Sequence, residues 1–431
     1  MDDFRRPEAG EHYQRAVALE QAGRIDEALA EYRRTVDVDP GFAAAYEALG
    51  YHYQRRGLLA KALDAFRTLA RLEDNYNACF NEGYILVELE RYEEAREAFQ
   101  RCLAMLPDDP AALYELAYLD YVEGKLPEAL AALEKPLQLY GEDWRLHNLA
   151  GACYLGLERW AEAEASYARA LALATNTEEQ EEAQAGLLVA RRYQEYPPDT
   201  PLGLKERLYA DAGVVVLGTS GDDGLCIVPR ERLALSPEAV AVTLGRLLTL
   251  ARAWPLDLTA VVAVDRVSLP LAVVLAEQLS IPQRPLSQLD PHDRPLLVLL
   301  AGRQPELLQV ALEQSPAGTI SFVFALGWYE QHDLLPDLLG IPTQEIVEEA
   351  PTTETGSPEP LSAEALRAAC QATGPEPNAE EQIRYYTHEH RHVRFLAEAD
   401  VAAATCRPST PSAEPGRTAS GETLGCAGRM E

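Results

Sequence analysis

The chain has 431 residues, 69 acidic against 38 basic, a formal net charge of −31 and a hydrophobic content of 47%. That length calls for two or three separate cores, and the apolar share is that of a folded protein. The charge opposes sequence-independent attraction to nucleic acid or to an anionic membrane surface, so neither is an expected partner.

In chain order, the first signal is a repeat. Small residues pair at a spacing of 12 in Ala16/Ala28, Gly50/Ala62, Gly83/Ala95, Ala117/Ala129 and Gly151/Ala163, and successive pairs follow at 34, 33, 34 and 34 residues. Four positions after each second member stands a large side chain: Tyr32, Phe66, Phe99, Leu133 and Tyr167. Small residues where two helices cross, with a ring beside them, resemble the tetratricopeptide repeat. Five repeats over residues 9–175 are expected, each a helix A, a tight turn and a helix B. Apolar residues at helical spacing support the pairs, as with Tyr46, Leu49, Gly50 and Tyr53 followed by Ala62, Phe66 and Leu69. Pro136 falls late in a helix B and is expected to shorten it. A further amphipathic helix within 176–196 reads as the polar cap that ends a solenoid.

Such a helix pair cannot bury its apolar face alone, and the stack it forms presents a long concave surface suited to binding. The resemblance implies which helix A positions line that groove. They are Tyr13 in the first repeat, Tyr51 in the second, and Asn77, Phe80 and Tyr84 in the third. The fourth supplies Tyr114, Tyr118 and Tyr121, and the fifth Arg145 and Asn148. Tyrosine offers rigid apolar area plus a hydroxyl and is enriched where proteins meet, although rings at these positions also pack between neighbouring helices. Some members of the family hold a terminal carboxylate with a Lys and an Asn in the first repeat. Tyr13 and Val17 stand there instead, which disfavours a ligand of that kind.

Beyond the stiff stretch Tyr196-Pro197-Pro198-Asp199-Thr200-Pro201 the pattern changes. Short apolar runs over Val214–Leu217, Leu225–Val228, Ala260–Val264, Leu296–Leu300 and Ile320–Ala325 read as strands. Pro237–Ala253, Leu269–Leu279 and Glu306–Glu313 read as helices between them. The first two runs flank a glycine-rich segment, residues 218–224, and are expected to form a hairpin; the rest calls for a mainly parallel sheet with helices on its faces, over residues 203–345. Here Ala260–Val264 followed by Asp265-Arg266-Val267-Ser268-Leu269-Pro270-Leu271-Ala272 resembles the pyrophosphate-loop region of phosphoribosyltransferases. The resemblance implies a ribose-phosphate loop after the next strand, with two acidic residues and then Thr-Thr-Gly. The chain has Ala301-Gly302-Arg303-Gln304-Pro305-Glu306, with neither. A degenerate domain follows, with no catalytic residue and no cofactor. Arg266 and Arg303, just past strand ends, make a candidate anion site.

Residues 346–431 turn to Pro, Thr, Ser, Glu and Gly and read as a largely disordered tail with short helices at 363–372 and 379–399. His388 and His392 would lie one turn apart on the second, without the further ligands a metal needs. The seven cysteines are scattered without a C-x-x-C pair, so no metal site or disulfide framework is expected. Met1–Arg6 lacks the apolar core of a signal peptide, and the longest apolar runs are far short of a membrane span, which points to the cytoplasm. The function these signals support is a non-enzymatic adaptor that binds a protein or peptide partner in the groove. The alternative is an enzyme or a nucleotide- or phosphate-sensing protein that works through the α/β domain and recruits its client with the repeats.

Overall fold

The computed structural model describes residues 5–254, 256–327, 334–347, 361–374, 378–386 and 392–395. Two compact units are present, one ending at Leu157 and one beginning at Glu158.

The first unit is a stack of helix pairs: α1 (Arg5–Gln21) with α2 (Ile25–Val38), α3 (Ala43–Arg55) with α4 (Leu59–Leu72), α5 (Tyr76–Glu88) with α6 (Tyr92–Met105), α7 (Pro110–Val122) with α8 (Leu126–Leu139), then α9 (Trp144–Gly156). Side chains that can accept from exposed amides start several of them. Asn75, Asp109 and Asp143 accept from Ala78, Ala112 and Arg145 respectively, and Pro110 fills the first turn of α7, where an N–H is dispensable. The turn inside each pair needs one left-handed residue. Gly23, Gly57 and Gly124 supply it at φ 74°, 68° and 74°, whereas Glu90 takes φ 58° at the same place in the third pair. The small residues sit where the period requires. A Cβ added to Gly50 would lie 2.7 Å from the Phe66 ring, and one added to Gly83 2.8 Å from that of Phe99. Pro136 does not shorten its helix. It is buried in the last turn of α8, which keeps the 14 residues of α2, α4 and α6. One missing amide so near the end costs a single bond.

The second unit opens with α10 (Trp160–Leu173) and α11 (Thr177–Gln194), crossed closely at Gly186 and Tyr167 and stapled by Trp160 stacked on Tyr193 at 4.1 Å. Helix α11 keeps exposed polar residues, Glu178, Gln180 and Glu182 among them, but its other side is not left for solvent. Arg192 is buried and donates to the His392 carbonyl at 2.7 Å, so this helix belongs to the same packed body as the sheet.

The sheet follows α12 (Leu204–Ala212). Its strands are β1 (Val215–Val216), β2 (Arg230–Ala234), β3 (Ala260–Ala263), β4 (Pro295–Gly302), β5 (Ile320–Leu326) and β6 (Leu338–Val347). All pairings among the described residues are parallel, in the order β1–β6–β5–β4–β3. The expected hairpin is absent. Residues 225–228 form no strand, and β2 runs in line with β1, pairing with the far end of β6 in the same direction. The segment that looked like a hairpin loop folds on its own side chains instead. Asp222 accepts from the Thr219 and Gly224 amides and pairs with buried Arg246 at 2.8 Å.

Helices α13 (Pro237–Ala253), α14 (Leu269–Leu279) and α16 (Ala363–Ala372) cover one face, against Val261, Leu296, Val298, Leu300, Phe322 and Phe324. Helix α15 (Pro305–Glu313) and one side of α12 cover the other, against Val262, Leu297, Leu299 and Val323. The alternation along each strand is the period of two that a sheet imposes. The crossovers through α14 and α15 step the same way across the sheet but pass on opposite faces, so they have opposite hands, and the common preference is right-handed.

Part of the stretch that composition assigns to a tail builds the second core. Leu366, Tyr386 and Val393 are buried in it. Helix α17 (Ala379–Arg384) ends well before residue 399. Tyr386 caps the outer edge of β1: its hydroxyl donates to the Val216 carbonyl and accepts from the Val216 amide. Gln382 adds bonds to the Leu217 and Gly224 carbonyls, so the two-residue edge strand is covered.

Candidate functional site

In the first unit, α1, α3, α5, α7 and α9 carry the expected groove residues. Asn77 and Arg145 are exposed and the others are half-buried. Tyr13 leans on Tyr32 and Phe42, with ring centroids 5.7 and 5.0 Å away, and Tyr51 meets the Phe66 ring edge-on at 5.3 Å. Phe80 sits between Tyr76 and Phe99 at 5.9 and 5.5 Å. These three rings therefore brace helix contacts while showing part of their surface. Tyr114, Tyr118 and Tyr121 run along α7 at 6.4 and 6.3 Å spacing, and the Arg145 guanidinium from α9 lies 5.7 Å above Tyr114. Arg145 is held there by Asp143, which accepts from its Nε and Nη2 at 3.2 and 2.9 Å. Tyr84 and Asn148 complete the row and are half-buried.

Sequence reasoning missed two kinds of residue on this row. Asn81 ties neighbouring repeats: its Nδ2 donates to the Tyr51 hydroxyl at 3.2 Å and to the Asn77 carbonyl at 2.7 Å. One repeat later the same position is Glu115 (115 − 81 = 34). It is half-buried and makes no hydrogen bond among the described residues. Burial pushes its carboxyl up to about 7, against the opposing pull of Arg145. Burial also raises the Glu88 carboxyl. Charge at these places was visible in the sequence, but the dryness around it was not.

In the second unit, Arg266 and Arg303 are exposed at the carboxyl ends of β3 and β4. The loop between β3 and α14 is closed on itself. Ser268 donates through its amide and hydroxyl to Asp265 at 2.8 and 2.5 Å, and the Leu300 amide donates to the Ser268 hydroxyl at 2.8 Å. At the other edge of the sheet, an open cleft of about 1110 Å³ is lined by the 220–223 loop, Cys226, Arg230, Arg232, Arg246 and Asn378. Behind it, Lys205 is buried, with Nζ 3.8 Å from the Tyr385 ring centroid, and burial pushes its pKa down to about 8. No group of three or more metal-ligating side chains occurs among the described residues. His388 and His390 lie outside those residues, and His392 is in a non-helical segment near Glu195.

Helix pairs of this length, period and crossing chemistry define a repeat solenoid. The profile of the tetratricopeptide repeat family matches residues 13–77, 80–140 and 120–178, so this part of the chain carries tetratricopeptide repeats. Curated relatives are repeat-containing proteins. One from Pseudomonas aeruginosa is 36% identical over 88 residues, which are 20% of this chain and 15% of that protein. YpiA of Bacillus subtilis is 29% identical over 139 residues, 32% of each chain. A Schizosaccharomyces pombe protein is 26% identical over 124 residues, 28% of this chain and 15% of its own. The chain thus spans a third or less of the relatives it matches. Among solved structures, MamA is 22% identical with a TM-score of 0.36, over 38% of this chain and 91% of its own. YrrB, described as a repeat protein with an unusual peptide-binding site, is 23% identical with a TM-score of 0.36, over 40% and 90%. No described helix is long and apolar enough to cross a membrane.

Proposed function

We propose that this protein is a non-enzymatic adaptor whose repeats bind an extended segment of a partner protein along the row of first helices. The observation that carries the reading is the row of Tyr114, Tyr118, Tyr121 and Arg145, with the three rings side by side and half-buried and the guanidinium exposed. Rigid tyrosines and arginine are the residues that anchor protein interfaces. A photoreactive phenylalanine analogue at position 118 of the full chain is the test. It should capture a partner peptide, whereas the same probe at exposed Glu97, on α6, should not. Equal capture at both positions sinks the reading. The buried, unpaired thiols of Cys79, Cys102 and Cys153 support a reducing compartment, the cytoplasm.

The α/β domain enters this reading as a scaffold, a phosphoribosyltransferase-like domain without its ribose loop. The sealed Asp265–Ser268 loop supports that view, since the Asp265 carboxylate and the Ser268 amide and hydroxyl are spent on one another and on the Leu300 amide. Phosphoribosyl transfer to any nucleobase, with Mg²⁺ present, should be undetectable. A second reading, in which this domain senses a phosphate-bearing molecule, is favoured by the cleft beside Arg230 and Arg232. Saturating nucleotide or phosphoribosyl pyrophosphate would then raise the melting temperature of the full chain.

A further inference from the structure

The row of first helices is not electrically neutral. Glu47 on α3, Glu88 on α5 and Glu115 on α7 are half-buried, and none has a hydrogen-bond donor among the described residues. Each shares a helical stripe with a tyrosine of the proposed groove, at spacings of four in Glu47–Tyr51, four in Tyr84–Glu88 and three in Glu115–Tyr118. The one guanidinium of the groove set, Arg145, is taken by Asp143 and by the Tyr114 ring. Carboxylates held away from water without donors are costly, and a cation that brings N–H groups to them removes that cost.

Resting on the groove reading, we infer that the partner segment is basic and extended, and that two of its Arg or Lys side chains engage Glu47 and Glu115. Those carboxylates occupy the same position of repeats two periods apart (115 − 47 = 68), with the α5 helix between them. Helix spacings of roughly 10 Å put them about 20 Å apart, which an extended chain spans in about six residues. The tyrosines between them take the apolar side chains of the intervening segment.

The same carboxylate supplies a signature. The charged and titratable groups acting on Glu115 are Arg145 from α9, Tyr76 from α5 and Tyr118 on its own helix. With the Glu115 carboxyl at about 7, a free groove at pH 6 holds it mostly protonated, and a bound cation must displace that proton. Affinity should rise about tenfold between pH 6 and pH 8.

The test uses the full chain and three labelled 12-residue peptides of identical Leu, Tyr and Gly content. They carry Arg, Gln or Glu at two positions six apart, and anisotropy is read in physiological salt at pH 6 and pH 8. The Arg peptide should bind best. Glu115→Gln and Glu47→Gln should each weaken it about tenfold, the cost of losing a charged hydrogen-bond acceptor. Glu115→Gln should also flatten the pH dependence, and Glu97→Gln should change nothing. If the Gln peptide binds as well as the Arg peptide and Tyr118→Ala weakens both, the groove stands and the basic partner is wrong. If the Arg peptide binds but neither Glu115→Gln nor Tyr118→Ala affects it, both ideas fail. If the Arg peptide does not bind at all, the inference is overturned, and the probe at position 118 reports on the groove separately.

Discussion

Gly83→Ala isolates the contact on which the repeat depends. In the middle of α5 the exchange alone should stabilise the helix by about 1 kcal/mol, because alanine restricts the unfolded chain and shields the backbone. The new methyl group would stand 2.8 Å from two carbons of the Phe99 ring and 3.0 Å from a third. Carbons in favourable contact sit roughly 3.5–4.0 Å apart, so α5 or the ring must retreat by somewhat under 1 Å. Phe99 is fully buried, so its ring can retreat only against packed neighbours. Overpacking of this kind costs about 1–3 kcal/mol, leaving a net loss of up to about 2 kcal/mol. Gly245→Ala, in the middle of α13, provides the contrast. Nothing lies within 4 Å of its added Cβ, so the propensity gain should survive as a stabilisation of about 1 kcal/mol. Urea unfolding followed by circular dichroism reads both. Leucine in place of Phe99 should recover part of the loss from Gly83→Ala and leave the gain from Gly245→Ala unchanged. Shifts of the same sign and size in the two single variants would refute the crossing argument.

Glu90 holds a left-handed turn that glycine occupies in other repeats, so Glu90→Gly should raise stability by up to about 1 kcal/mol in the same titration. Lys205 has its folded pKa pushed down to about 8, so above that pH the unfolded state binds more protons and stability rises until the unfolded lysine titrates. Relative to Lys205→Met, the unaltered chain should gain about 2 kcal/mol between pH 7.5 and pH 9.5; an unchanged difference would show that the lysine is not dry. Tyr386→Phe leaves the Val216 amide at the sheet edge unpaired and should cost about 1–3 kcal/mol, with faster hydrogen exchange at that amide. Arg246→Ala strands the Asp222 carboxylate beside the 218–224 loop and should cost about 3–5 kcal/mol, whereas Asp222→Asn, which keeps an acceptor oxygen, should cost less.

The repeats were legible because a fixed period returns the same side chain to the same packing problem, and Gly50, Gly83, Phe66 and Phe99 solve it as their spacing implied. Strands β3, β4 and β5 were legible as unbroken apolar runs, the mark of parallel strands covered on both faces. The misreadings share a cause in distance along the chain. The glycine-rich segment before β2 resembles a hairpin loop, but its shape is set by Arg246, 24 residues beyond Asp222. The partner of β1 is β6, 123 residues away (338 − 215), so no local pattern could announce it. Composition hid the last helices because so few of their residues, Leu366, Tyr386 and Gln382 among them, enter the core. For the proposed groove, the family resemblance implies positions such as Tyr114 and Tyr118, whereas the condition of Glu115 depends on what surrounds it, which a repeat pattern does not encode.

The long reach of Tyr386 to Val216 also sets a timetable for the newborn chain. Each pair of repeat helices finds its partner within some 33 residues and can close as it leaves the ribosome. Strand β1 must wait a further 170 residues for the hydroxyl that seals its edge, roughly 10–35 s at ordinary rates of synthesis. Throughout that interval the apolar ribbons of β3, β4 and β5 emerge with no finished fold to enter. The repeats, whose contacts are all short-range, would be assembled on the nascent chain before the sheet could be completed.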